Sequence, residues 1–127
     1  MKNIIVITSI LLSLVACKKD ITQFSNGNIV GKWKLSESRN DIGNGIMNWQ
    51  PADSLNPSYL EFKEDGTLTI LPYNVYSADH FQVTSDSTII FMRGSEKFNR
   101  GYHYTKSLLH LYGGCIETCE ERLIPAQ

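Results

Sequence analysis

Few residues in this chain could carry chemistry. They are cysteines 17, 115 and 119, histidines 80, 103 and 110, and the adjacent carboxylates Glu64-Asp65 and Glu120-Glu121. Cys115 and Cys119 do not form the Cys-x-x-Cys of a thioredoxin-type redox centre, and no histidine lies close in sequence to activate either thiol. His103 and His110, taken with those cysteines, match no two-cysteine, two-histidine spacing, so no metal is expected. There is no Gly-x-Ser-x-Gly elbow, no phosphate-binding glycine loop and no His-Glu-x-x-His. The carboxylate pairs fall at a turn or on opposite faces of a strand, where solvated charge accounts for them better than acid–base work. The expectation is a protein that is not an enzyme and needs no cofactor. The 12 basic and 13 acidic residues leave a net charge of −1. That balance excludes nucleic acid as a partner, which requires a clustered basic face.

Cys17 has a different context. Lys2 precedes an apolar run from Ile4 to Ala16, interrupted only by Thr8, Ser9 and Ser13. A bilayer-spanning helix needs about 20 apolar residues, and this run is shorter. Its last residues, Leu14-Val15-Ala16-Cys17, resemble the lipobox of a bacterial lipoprotein. The resemblance implies a helical signal peptide cleaved before Cys17, a diacylglycerol thioether on its sulfur, and acylation of the freed amine by a chain such as palmitate. Two acyl signals anchor stably where one does not. The chain then divides into a lipoprotein signal peptide (1–16), a lipidated polar tether (17–28) and one small domain (29–127). It is placed in the bacterial cell envelope and held to a membrane by lipid, with the outer membrane (periplasmic face or cell surface) as the expected location. Lys18-Lys19-Asp20 reads equally as a sorting signal or as a soluble start to the tether. With Cys17 given to lipid, Cys115 and Cys119 remain as an even pair in an exported chain, and a structural disulfide is the default. Four residues of straight strand would hold them about 13 Å apart. A disulfide needs Cα atoms within about 7 Å, so the pair requires a turn or bulge, which Gly113-Gly114 makes reasonable.

The domain itself reads as strands. Residues 29–36 alternate, with Gly31, Trp33 and Leu35 on one face and Lys32, Lys34 and Ser36 on the other. Residues 39–57 are rich in turn formers, yet Ile42, Ile46, Met47, Trp49 and Leu55 are set among them. Such a loop should pack on something, and a lid over one end of a barrel fits. Further strands are expected at 59–64 (Leu60 and Phe62 inward), 67–71 (Leu68 and Ile70 inward), 80–84 (Phe81 and Val83 inward), 88–93 (Ile89 and Phe91 on one face, Ile90 and Met92 on the other), 101–106 (Tyr102 and Tyr104 on one side), 107–112, and within 115–125. Asp65-Gly66 marks a hairpin, and residues 94–99 read as a polar loop. No amphipathic helix follows the leader. Seven or eight short strands in sequence order meet the description of an up-and-down antiparallel β-barrel of about eight strands, or of a sandwich.

Gly31-x-Trp33 on the first strand resembles the Gly-x-Trp signature of lipocalins. The stretch 59–68 and the ending 115–124 are similar to a hairpin and the last strand of small lipocalin-like lipoprotein domains. The resemblance implies a calycin-type barrel, shorter than a true lipocalin. It also implies that Trp33 closes one end, that Gly31 admits close backbone approach, and that a basic last-strand residue, Arg122, stacks on the indole of Trp33. The implied function is binding of a small apolar or amphipathic ligand at the barrel mouth beneath the 39–57 loop, touched by Trp49, Tyr73 and Tyr104. The alternative is a non-catalytic envelope module whose loops bind a protein or glycan.

Overall fold

The computed structural model describes residues 28–41, 43–72, 78–114 and 118–127. Residues 1–27, which hold the expected signal peptide, Cys17 and the expected tether, lie outside the described residues, as do Tyr73 and Cys115. The described chain is all β. Its strands are β1 (Gly31–Asn40), β2 (Gln50–Pro51), β3 (Tyr59–Phe62), β4 (Leu68–Leu71), β5 (His80–Val83), β6 (Thr88–Arg93), β7 (Glu96–Thr105), β8 (Leu108–Tyr112) and β9 (Cys119–Pro125).

Every pairing is antiparallel, and the order is β4-β3-β1-β9-β8-β7-β6-β5, with β2 paired to β1 off this path. Followed around, the eight strands of the path succeed one another in chain order, and β9 pairs back onto β1. That is the up-and-down barrel. The two ends of the path, β4 and β5, meet through a Thr67–His80 bridge. Leu68 N donates to Asp79 O at 2.8 Å and Phe81 N to Gly66 O at 2.9 Å across the same seam. The barrel is therefore nearly closed, and closure removes the exposed edges that an open sheet would carry.

Period-two alternation decides the inside. Trp33, Leu60, Phe62, Leu68, Ile70, Phe81, Val83, Ile89, Phe91, Tyr102, Leu109, Leu111 and Leu123 are all buried in one cluster, against which Leu35 and Tyr104 pack. Trp33 satisfies its buried indole N–H by donating to Ile29 O at 2.9 Å, and Ile29 is itself buried at the start of the domain. Because strands alternate in direction, residue 28, the C-terminus and the turns at 63–67, 84–87 and 106–107 share one end. The connections 41–58, 72–79, 94–95 and 113–118 share the other.

Two stretches differ from the sequence expectation. Residues 96–99 are strand, not loop: Glu96 pairs with Arg93 and Lys97 with Met92 around a two-residue turn. Residues 37–40 also continue β1, because β9 pairs them on one side and β2 pairs Glu37 and Ser38 on the other. Polar composition hid both. A strand whose outer face is solvated, or paired by opposite charges, needs no apolar alternation. Gly31 also holds its place for a different reason. A side chain there would meet nothing within 4 Å, but its φ is +138°, a region L-residues rarely adopt. At Asp65-Gly66 the expected hairpin is present, with Gly66 at φ +84° and Thr67 N donating to Asp65 Oδ1 at 2.9 Å.

Candidate functional site: the outer wall of β1, β9 and β8

The 41–58 excursion is not a simple lid. β2 divides it, rejoining β1 beside Glu37 and Ser38, and Ala52 N donates to Ser36 O at 2.8 Å. At Ser36 the pairing of β1 with β9 shifts by one residue between Leu35 and Glu37. This bulge changes the phase of the strand. Before it, Trp33 and Leu35 point inward. After it, Glu37 and Arg39 point outward, opposite the outward residues Arg122 and Glu120 of β9. Trp49, which precedes β2, falls beside Arg39 on this same outer wall.

Here the side chains form one connected group. The Arg122 guanidinium carbon lies 3.9 Å from the Trp49 ring centroid and that of Arg39 lies 4.6 Å away. His110 of β8 meets the indole edge at 5.8 Å, and Tyr112 meets His110 at 5.4 Å. Arg39 donates to Glu120 Oε1 at 2.7 Å, Arg122 to Glu37 Oε2 at 3.1 Å, and His110 Nε2 lies 2.8 Å from Glu120 Oε2. The Arg39 hydrogen bond is the first cause, and the His110 contact a further one, that holds the Glu120 carboxyl below its ordinary value against the opposing effect of burial. Arg39 Nε is buried without a hydrogen-bond partner among the described residues. Tyr112, directly opposite Gly101 on β7, fills the space where a side chain at Gly101 would stand.

The residues expected to share a ligand site do not converge. Trp49 is on the outer wall, Tyr104 is inside against Trp33 (ring centroids 6.0 Å apart, interplanar angle 84°), and Tyr73 lies outside the described residues. Arg122 stacks on Trp49 and not on Trp33. Its neighbour Leu123 is fully buried, so alternation turns Arg122 outward, away from the interior that Trp33 occupies. His103 and His110 do stand directly opposite each other, but Cys119 belongs to the inward row of β9. Among the described residues no group of three or more metal-ligating side chains converges.

On the inner face, Arg100 has no role in the sequence reading, and Glu121 reads there only as solvated charge beside Glu120. Arg100 is 3% exposed. Its Nε donates to Gly113 O at 2.9 Å and its Nη1 to Glu121 Oε2 at 2.8 Å. The link passes over β8 to β9 because Gly113 and Gly114 leave room. A side chain at Gly114 would come within 2.8 Å of Arg100 Cγ. Burial pushes the Glu121 carboxyl up to about 7 and lowers Arg100 to about 10, which leaves the guanidinium charged at neutral pH. Glu121 is therefore not the solvated charge that its place beside Glu120 suggested. The only sequence signal for this pair is the Gly-Gly step itself, which marks a close approach as readily as a turn.

A scan against protein-family models found no match for this chain, and neither did searches of curated proteins and of solved structures.

Proposed function

We propose that this chain is a lipid-anchored, extracytoplasmic, lipocalin-like module of the bacterial cell envelope that binds without catalysis, using the outer wall of β1, β9 and β8 as its recognition surface. One observation carries the choice of surface. The interior side chains form one packed core, while Trp49, Arg39, Arg122, His110 and Tyr112 gather on the outside. Tryptophan, tyrosine and arginine are the residues that most often dominate binding surfaces. The anchor is proposed from Leu14-Val15-Ala16-Cys17, and the staple from the even pair Cys115 and Cys119 that remains in sequence. Residue 28 lies at the short-turn end, so a lipid at Cys17 would hold the end bearing the longer connections away from the membrane.

A second reading has its own support: a small apolar or amphipathic ligand seated at the end bearing the longer connections. There the half-exposed Phe98 lies two residues from Arg100 on the same inward row of β7. Native mass spectrometry of the purified chain and of Trp49→Ala separates the two. The outer-wall reading expects that any mass co-purified with the parent chain is lost from Trp49→Ala. A bound mass that survives Trp49→Ala moves the site indoors. The anchor is tested by phase partition: the parent chain should enter detergent with a lipid-sized mass increase, and Cys17→Ser should stay in the aqueous phase or remain unprocessed.

A further inference from the structure

We infer that the outer-wall surface takes a saccharide, specifically a neutral oligosaccharide chain; this rests on the outer-wall reading above and names its ligand class. Charge comes first. The surface holds Arg39, Arg122, Glu37 and Glu120 as two ion pairs, with His110 on Glu120. The group is locally balanced, so it offers no net field to an anion or a cation. An apolar protein face docking here would have to desolvate both pairs, a penalty that their mutual attraction does not readily repay.

Unused hydrogen-bonding capacity comes second. A carboxylate has about four lone-pair sites and a guanidinium five N–H donors, and the pairs described consume only part of each. Arg122 and Glu37 are each 39% exposed, and Arg39 30%. At Arg122 and Glu37, donors and acceptors thus stand side by side at the surface, while Glu120 is only 14% exposed. Hydroxyl groups, each both donor and acceptor, satisfy such a mixed array without breaking a pair.

The aromatic row comes third. Trp49, His110 and Tyr112 follow one another at 5.8 and 5.4 Å along the wall. Tyr112 is 38% exposed and seated over Gly101. Arg122 and Arg39 lie over the Trp49 ring and hold it in the row, and Tyr112 presents apolar area beside a polar tip. A ligand that matches both features has apolar C–H faces ringed by hydroxyls, and that describes a sugar ring. The spacing suits consecutive sugars of a chain better than a single one.

The test uses the purified folded chain with three defined probes: the tetramers of β-1,4-linked N-acetylglucosamine, β-1,4-linked glucose and α-1,4-linked glucose. Saturation-transfer NMR should show contact to the ring C–H protons of at least one tetramer, and titration should give its affinity. Trp49→Ala and Tyr112→Leu should each weaken that affinity by about tenfold, while Gln82→Ala, on the outer face of β5, should leave it unchanged. Near-ultraviolet circular dichroism from the interior Trp33 checks that each variant is folded. If Trp49→Ala is not, Trp49→Phe replaces it with a smaller expected loss. The inference is overturned if no tetramer receives saturation, or if binding persists undiminished in folded Trp49→Ala and Tyr112→Leu. A photoreactive residue at position 112 that crosslinks only to protein in intact envelopes would also overturn it, while leaving the outer wall as the recognition surface.

Discussion

Glu120 and Glu121 are neighbours in β9 on opposite sides of one wall. Glu120 faces out, engages Arg39 and His110, and has its carboxyl pulled down by the Arg39 hydrogen bond. Glu121 faces in, engages Arg100, and is pushed up to about 7 by burial. Each has a guanidinium within 2.8 Å. The difference lies in the partners and their depth, not in the exposure of the carboxylates, which is 14% for Glu120 and 19% for Glu121. Outside, Glu120 has both His110 and Arg39, the latter 30% exposed against 2% for Arg100, and favourable contacts decide the proton affinity. Inside, desolvation of the charge is the larger effect. Function follows the two faces in our proposal: the outer ladder, through the exposed Arg122 and Glu37, is able to meet a partner, and the inner pair is anchored in the packed interior by the buried Arg100.

Breaking the inner pair should have the largest effect. Arg100→Ala leaves Glu121 buried without its counter-charge and is expected to cost about 3–5 kcal/mol in urea unfolding at pH 8. Arg100→Met combined with Glu121→Leu should recover most of that loss. A double variant as unstable as Arg100→Ala alone would show that the pair is held by more than charge.

The pH dependence sharpens the contrast. Glu121 is raised from 4.5 to about 7 in the folded chain. Below pH 4.5 it is protonated in both states and costs nothing. As pH rises to 7 the folded state must give up a proton that it holds more tightly, so this group's contribution to stability falls, by up to ~3 kcal/mol. Glu121→Gln should flatten that slope. Glu120 has the opposite sign. Its lowered value contributes stability above pH 4.5, which is lost as pH falls through its folded value. Stability measured against pH for the parent, Glu120→Gln and Glu121→Gln should separate the two. Equal slopes in the two variants would remove the distinction between the faces.

Smaller effects test the space around each face. Gly114 has φ +81°, and a Cβ there meets Arg100 Cγ at 2.8 Å and Asn99 O at 3.0 Å. Gly114→Ala should therefore cost about 1–3 kcal/mol by thermal unfolding. On the outer wall, Trp49→Ala removes two cation–π contacts from half-exposed groups and should cost only about 1 kcal/mol, with the near-ultraviolet signal of Trp33 retained. A loss as large as that of Arg100→Ala would mean that the outer group is part of the core.

Much of the barrel was legible because alternation is local. The pleat sends successive side chains to opposite faces. Leu60 and Phe62, Leu68 and Ile70, and Phe81 and Val83 are therefore assigned inward by the sequence alone, and all are buried; for residues 88–93, apolar on both faces, only the structure decides that Ile89 and Phe91 are the inner pair. The Asp65-Gly66 turn was legible for the same reason, since its positive φ is a demand on one residue. The candidate site was not legible. Trp49 and Arg122 were each noticed, but were assigned to different places.

By itself the sequence determined short antiparallel strands that fit a barrel or a sandwich, the inward or outward sense of most side chains, and the resemblance of Leu14-Val15-Ala16-Cys17 to a lipid-attachment site. Only the tertiary structure decided who meets whom. Arg39 reaches Glu120 and Glu37 reaches Arg122 because β1 closes on β9 across most of the chain. Trp49 arrives because β2 rejoins β1 after the Ser36 bulge has turned Glu37 and Arg39 outward. A strand's pattern is fixed by its own pleat, whereas a bulge reverses that pattern in one step and is set by the partner strand. For this reason the inner pair and the outer ladder, adjacent in sequence at residues 120 and 121, became distinguishable only in three dimensions.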